Sequence, residues 1–94
     1  MVKLNFDKIS YVESLKDYLK IHTKEMYYVT HMTMKKMEET LLSEVFIRIH
    51  KSYILSLSGL KSFEGNTVET FKESLPVGAM YKDHLIKTVN KIGN

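Results

Sequence analysis

The sequence predicts a mainly β fold of elongated antiparallel sheets, with about seven or more short strands, one short docked helix and a short C-terminal helix. Apolar and polar residues alternate over several short stretches, which is typical of strands with one buried face. Gly65-Asn66 separates two of these stretches, as in a two-residue β-hairpin. Apolar residues at helical spacing occur in only two places, near residues 33–42 and after Met80.

The length and composition fit one small domain spanning residues 1–94. The net charge of +3 permits binding to a polyanion without requiring it. The absence of cysteine excludes disulfides and thiolate metal sites. No apolar run approaches the roughly 20 residues of a transmembrane helix, and the first residues lack the features of a signal peptide. We therefore expect a cytoplasmic protein.

The first third of the chain predicts a meander of antiparallel strands. Leu19 and Ile21 point to one face of their strand, while Lys20 and His22 point to the other. Asp7-Lys8 separates the first two alternating stretches and predicts a turn there. The strands are expected at residues 2–6, 9–13, 17–23 and 26–31.

The hydrophobic period then changes to that of a helix. Thr33 is a suitable N-cap, and a stripe of apolar residues follows at positions 34, 37, 41 and 42. We interpret this methionine-containing stripe as core packing rather than a cofactor pocket. Further strands are expected at residues 45–50, 53–57, 60–63 and 67–71.

The C-terminal segment predicts a loop followed by a helix. Pro76 and Gly78 lie in the loop, and Gly78 indicates a position that needs a permissive backbone. From Met80 onward, apolar residues share one helical face, and Gly93 ends the helix. The residues of this face are Tyr81, Leu85, Val89 and Ile92.

No arrangement typical of an enzyme, cofactor site or metal site occurs in the sequence. The four histidines are too far apart for a helical zinc-binding pair. The four glycines are scattered and form no phosphate-binding loop. A nucleophile elbow of the G-x-S-x-G type is also missing. We expect no catalysis, no cofactor and no metal.

The most unusual stretch is residues 46–55, in which a strand ends in three consecutive polar residues. Lys51 and Ser52 at a strand end suit phosphate binding, one by charge and the other by its hydroxyl. Arg48 lies within the strand, where two roles remain open. Its guanidinium can bind guanine or phosphate, or it can form a structural ion pair.

Five blocks together resemble the LytTR-type DNA-binding domain of bacterial transcriptional regulators. They occur in the order and at the spacing of that family, and they are residues 9–14, 17–22, 33–38, 46–54 and 75–82. The resemblance implies an elongated antiparallel β fold whose loops enter successive major grooves of duplex DNA. It implies no separate recognition helix.

Three regions would face DNA if the resemblance is carried over residue by residue. The first contributes Ser14, Lys16, Asp17 and Tyr18. The second contributes Arg48, His50, Lys51 and Ser52. The third contributes Gly78, Ala79, Met80 and Lys82.

The chain departs from the family pattern at two of these positions. Lys51 stands where the family often has arginine, and a lysine acts as a point charge that favours backbone binding over base readout. Ala79 stands where a long polar or basic side chain is common. Alanine can contact a thymine methyl group but cannot hydrogen-bond a base edge.

The resemblance predicts sequence-specific binding of duplex DNA by the output domain of a transcriptional regulator. Its partner would be double-stranded DNA carrying paired direct repeats, with homodimerisation on DNA left open and no membrane contact. We also expect the chain to lack the family's first strand and the N-terminal receiver or sensor domain. The alternative is a protein–protein interaction module of a signalling protein, suggested by exposed aromatics such as Tyr18 and an unpaired sheet edge.

Overall fold

The computed structural model describes residues 5–41, 43–71 and 73–92, without the side chain of Ile92. Within these residues the chain forms eight strands in two antiparallel sheets, together with two α-helices. The domain is elongated, measuring 39 × 23 × 23 Å along its principal axes. The predicted mainly β fold class is therefore confirmed.

The larger sheet has five strands in the order β3-β2-β1-β5-β4, and every neighbouring pair is antiparallel. Its first three strands form the predicted meander, and β5 pairs with the free side of β1. The strands are β1 (Ile9–Ser14), β2 (Leu19–Thr23), β3 (Tyr27–Thr30), β4 (Phe46–His50) and β5 (Tyr53–Ser56).

The smaller sheet contains β6 (Leu60–Glu64), β7 (Thr67–Thr70) and β8 (Ser74–Pro76). Glu64 pairs with Thr67, so Gly65-Asn66 forms a two-residue turn, as predicted. Gly65 has a φ of 62°, at the turn position where a type II′ hairpin favours glycine.

The first helix, α1 (Met34–Thr40), begins as the sequence predicts. The Thr33 hydroxyl accepts a hydrogen bond of 3.1 Å from the backbone N–H of Lys36, which satisfies one free donor of the first turn. Met34 and Met37 are buried, so the methionine stripe belongs to the core. Leu42 lies outside the described residues.

The second helix, α2 (Ala79–Ile92), has 14 residues and covers the helix expected from Met80 onward. It begins one residue before Met80, so Ala79 and Met80 form its first turn and do not belong to a loop. The Tyr81 N–H donates to the Gly78 carbonyl, which supports helix entry at this point. Gly93 lies outside the described residues.

The N-terminal strand expected at residues 2–6 is wrong at Phe6, and residues 2–4 lie outside the described part of the chain. Residues Phe6–Lys8 form a 3₁₀ turn instead. The Lys8 N–H donates to the Asn5 carbonyl and the Ile9 N–H donates to the Phe6 carbonyl. These bonds turn the chain into β1, so the turn predicted at Asp7-Lys8 begins one residue earlier.

The central strand β1 of the five-stranded sheet is buried on both faces. Tyr11 and Val12 are neighbours on β1 that point to opposite faces, yet each is 0% exposed. Val12 packs in a cluster with the helix α1, while Tyr11 packs in a second cluster with the three-stranded sheet and α2. Contrary to the expectation of a polar outer face on β2, His22 is only 8% exposed and stacks on Tyr11. No helix within the described residues is long and apolar enough to cross a membrane.

The docking of α2 can be tested with two neighbouring positions. Leu85 is fully buried, whereas Ile86 is 37% exposed. Leu85→Ala should lower the free energy of unfolding by about 2–5 kcal/mol, because it leaves a cavity in the core. Ile86→Ala should change it by less than about 1 kcal/mol. Urea denaturation measures both values, and equal effects would contradict the described orientation of α2.

Candidate DNA-binding surface

The three segments predicted to face DNA meet at one end of the five-stranded sheet. The Ser14 N–H donates a hydrogen bond of 2.8 Å to the Ser52 carbonyl, which joins the β1–β2 loop to the β4–β5 turn. The Gly78 N–H donates a hydrogen bond of 2.8 Å to the Ile49 carbonyl, which joins the start of α2 to the end of β4. We call residues 14–18, 50–52 and 78–82 the three-segment surface.

The first segment is a closed loop between β1 and β2. The Leu15 N–H donates to the Tyr18 carbonyl at 2.8 Å, which leaves Lys16 and Asp17 exposed at the tip. His31 extends the surface, because its Nδ1 lies 3.2 Å from the Asp17 carbonyl oxygen and its ring lies edge-on to Tyr18.

Sequence reasoning missed His31 as a neighbour of this loop. The signal that could have located it is the register of the β2–β3 hairpin. Leu19 pairs with Thr30, so the next residue beyond the pair on β3 lies beside Tyr18. This deduction requires the register of the β2–β3 hairpin. The sequence does not specify that register, because the turn at Lys24-Glu25 contains neither glycine nor asparagine.

The second segment is the turn between β4 and β5, where Lys51 is exposed. The Ser52 N–H donates to His50 Nδ1 at 3.1 Å, so Nδ1 is the acceptor nitrogen of this imidazole. The His50 ring also packs at 5.6 Å from the Tyr53 ring. Burial, followed by the negative charge of Glu13, raises the pKa of the Tyr53 hydroxyl above its ordinary value, so this group stays neutral at physiological pH.

Arg48 lies behind this turn and is engaged by the protein itself. Its Nη1 donates to Glu38 Oε1 at 2.8 Å. Its Nε donates to the His50 carbonyl at 2.8 Å and its Nη2 donates to the Lys51 carbonyl at 2.6 Å. Of the two roles that the sequence left open, the structure shows the ion pair.

The third segment begins α2. The expectation that Gly78 needs a permissive backbone is wrong, because Gly65 has the only positive φ within the described residues. A β carbon at Gly78 would instead lie 3.1 Å from Cδ2 of Tyr81, so the close approach of this ring favours glycine. Ala79 is exposed and Met80 is 93% exposed, which places both side chains on the outer side of the first helical turn.

The β6–β7 turn also contributes to this end of the molecule. The Lys82 Nζ donates to Asn66 Oδ1 at 3.0 Å, and the Val77 N–H donates to the Asn66 carbonyl at 2.8 Å. Sequence reasoning assigned Asn66 only to a hairpin turn. Its contact with Lys82 requires the smaller sheet to pack beside α2, which no local pattern indicates.

The chemistry of this end suits a polyanion with hydrogen-bonding edges. Lys16, Lys51 and Lys82 come from separate segments and supply positive charge, while serine, asparagine and histidine side chains supply hydrogen-bonding groups. Such groups bind phosphates and the base edges of nucleic acids. Among the described residues, no group of three His, Asp or Glu side chains is arranged to hold a metal ion.

A groove of about 760 Å³ lies at the opposite end, near the β2–β3 turn. Its wall carries both charge signs, with Asp7 and Glu25 beside Lys8 and Lys24. This mixture does not favour a polyanion, which distinguishes the groove from the three-segment surface.

Comparisons with known proteins identify the family and the fold. The family model described as the LytTr DNA-binding domain matches residues 1–90. The fold is similar to the LytTr DNA-binding domain of a putative methyl-accepting/DNA response regulator from Bacillus cereus, with a TM-score of 0.83 and 20% sequence identity. That similarity covers 94% of this chain and 86% of the other. No functionally curated protein matches the sequence. Because the family model spans nearly the whole chain, the protein belongs to the LytTr DNA-binding domain family.

Proposed function

We propose that the protein binds duplex DNA sequence-specifically, as the output domain of a bacterial transcriptional regulator in the cytoplasm. Membership of a DNA-binding family supports the DNA partner. The observation that carries the proposal is the joining of three distant segments by the Ser14–Ser52 and Gly78–Ile49 hydrogen bonds. A rigid sheet thereby presents three chain segments side by side, as binding loops on a scaffold do.

The segments divide the work of binding. Lys51 and Ser52 bind phosphate oxygens and fix the position of the domain on the duplex, since lysine acts as a point charge. The loop of residues 14–18 enters a major groove and reads base edges with Lys16 and Asp17, which are exposed at its tip.

The start of α2 enters the neighbouring groove by a different chemistry. Ala79 and Met80 offer apolar contacts, which suit the methyl group of thymine. Lys82, held by Asn66, lies one turn further along the helix and is close enough to the surface to bind phosphate. Hydrogen-bond readout of bases therefore falls mainly to the first loop.

Two copies are proposed to occupy paired direct repeats along one duplex. The domain is 39 Å long, which is close to the roughly 34–36 Å of one helical turn of DNA. Each copy can therefore cover about one turn, so adjacent repeats are accessible to adjacent copies. The alternative of a protein–protein interaction module gains no support from the comparisons.

Two lysines provide a matched test of phosphate binding. Lys51 lies in the three-segment surface, whereas Lys24 is exposed at the opposite end. Lys51→Ala should weaken binding to all duplexes similarly and reduce the slope of log affinity against log salt by about 0.9. Lys24→Ala should leave both quantities unchanged. Fluorescence anisotropy between 50 and about 200 mM salt measures them, and equal slopes for Lys51→Ala and the native protein would remove Lys51 from the interface.

Base readout by the first loop is tested by selecting bound sequences from a random duplex pool at one fixed salt concentration. Lys16→Gln and Asp17→Ala should change the selected bases, because these side chains lose specific donors or acceptors. Lys51→Ala should recover the native consensus at lower yield. A native consensus for all three variants would contradict sequence readout by this loop, and a failure of the native protein to select any consensus would contradict the proposed function.

A further inference from the structure

We infer that Arg48 is a positioning residue, which holds the turn of residues 50–52 in its binding conformation and makes no contact with DNA. This inference rests on the proposed function, because it assigns a role within the same surface. The inference explains why all three nitrogen atoms of the Arg48 guanidinium donate to groups of the protein.

The contacts of Arg48 fix the backbone of the turn from within. Two adjacent carbonyl groups, those of His50 and Lys51, accept hydrogen bonds from its Nε and Nη2. The orientation of a carbonyl fixes the plane of its peptide unit. Arg48 therefore sets the peptides on both sides of the Lys51 α-carbon, and with them the direction in which the Lys51 side chain leaves the surface.

The constraint extends to the first segment through the backbone. The peptide that contains the Lys51 carbonyl also contains the Ser52 N–H, which donates to His50 Nδ1. The next carbonyl, that of Ser52, accepts from the Ser14 N–H. A change in the turn would consequently alter the bond that joins it to the loop of residues 14–18.

Both helices also contact Arg48. Glu38 of α1 forms the ion pair, and the guanidinium carbon lies 5.7 Å from the centre of the Tyr81 ring on α2. The Tyr81 ring packs in turn against Gly78, whose N–H is bonded to the Ile49 carbonyl. The arginine thus lies at a junction of α1, the β4–β5 turn and α2.

The low exposure of the Arg48 side chain favours a positioning role over direct contact with DNA. The Arg48 side chain is only 17% exposed, whereas Lys51 is exposed. A phosphate ligand would have to exchange existing bonds with protein groups for bonds with DNA. The carbonyls of His50 and Lys51 would then lose the donors that hold the turn.

The planar guanidinium group of arginine is needed for this role. Guanidinium presents five N–H donors in a fixed plane, while lysine carries one nitrogen on a flexible stem. A lysine at position 48 keeps the charge but cannot bond the carboxylate and both carbonyls in the same geometry. Arg48→Lys is therefore the variant that separates charge from positioning.

The first test uses the free protein, so it does not depend on DNA binding. In Arg48→Gln and in Arg48→Lys, amide hydrogen exchange at Ser14 and Ser52 should accelerate by on the order of ten-fold. This factor corresponds to the loss of a hydrogen bond to a charged group. Exchange at Val12, in the centre of β1, should stay unchanged and serves as the internal control for intact folding. Unchanged exchange at Ser14 and Ser52 would overturn the inference.

The second test uses duplex binding by single and double variants. If Arg48 acts through the turn, Arg48→Lys should weaken binding as Arg48→Gln does, and either change should have a smaller effect in a Lys51→Ala background than in the native protein. If Arg48 bound phosphate directly, Arg48→Lys would bind nearly as the native protein does. In that case Arg48→Gln with Lys51→Ala would lower the salt slope by about 1.8, twice the value for one phosphate, and the inference would be wrong.

A control variant removes the ion pair alone. Glu38→Gln preserves both carbonyl contacts of Arg48, so the exchange of the Ser52 amide should stay within a few-fold of the native rate. If Glu38→Gln accelerated this exchange as much as Arg48→Gln does, the Glu38 carboxylate would hold the turn, and the hydrogen bonds from Arg48 to the two carbonyls would not. If the native protein bound no duplex while the Arg48 variants accelerated exchange, the proposed function would fail and the positioning of the turn would stand.

Discussion

The burial of both faces of the central strand β1 is the constraint on which the rest of the structure depends. Tyr11 and Val12 are adjacent and fully buried on opposite faces, so a slip of one residue would exchange an aromatic phenol for a small apolar side chain in both clusters. The register of β1 is therefore strongly specified against both of its neighbours. Because Glu13 pairs with Tyr53, Ser14 arrives beside Ser52. The position of the segments proposed to bind DNA is a consequence of core packing.

Different parts of the chain provide stability and the polar groups that suit DNA. The strands and helices carry the stability, and the polar groups that suit DNA lie in turns and at a helix start. The family is one of DNA-binding domains, and the proposed function relies on Lys16, Lys51 and Lys82 being brought to one end of a chain whose net charge is only +3. The opposite end, with its mixed charges around a groove, has a different character. The asymmetry comes from the topology, since the chain as a whole is only moderately basic.

The sequence predicted those features that short-range patterns determine. Alternation indicated most strands, Thr33 marked the start of α1, and Gly65-Asn66 marked the β6–β7 turn. It failed where tertiary packing decides: His22 follows the pattern of a solvent-facing polar residue, yet a second layer covers its face. The role of Arg48 could not be decided from the sequence, because its partner Glu38 lies on a helix ten residues earlier. Only the docking of that helix brings the two charges together. His31 and Asn66 were missed as surface neighbours because strand register and sheet packing place them.

The proposed DNA-binding surface can be tested most directly by a map of backbone amide chemical shifts during titration of the isotope-labelled protein with a selected duplex. The largest changes should fall in residues 14–18, 50–52 and 78–82, with smaller changes at His31 and Asn66. The amides of the β2–β3 turn should remain unperturbed. Changes concentrated at that turn, with none in the three segments, would show that this end of the sheet is not the DNA-binding surface.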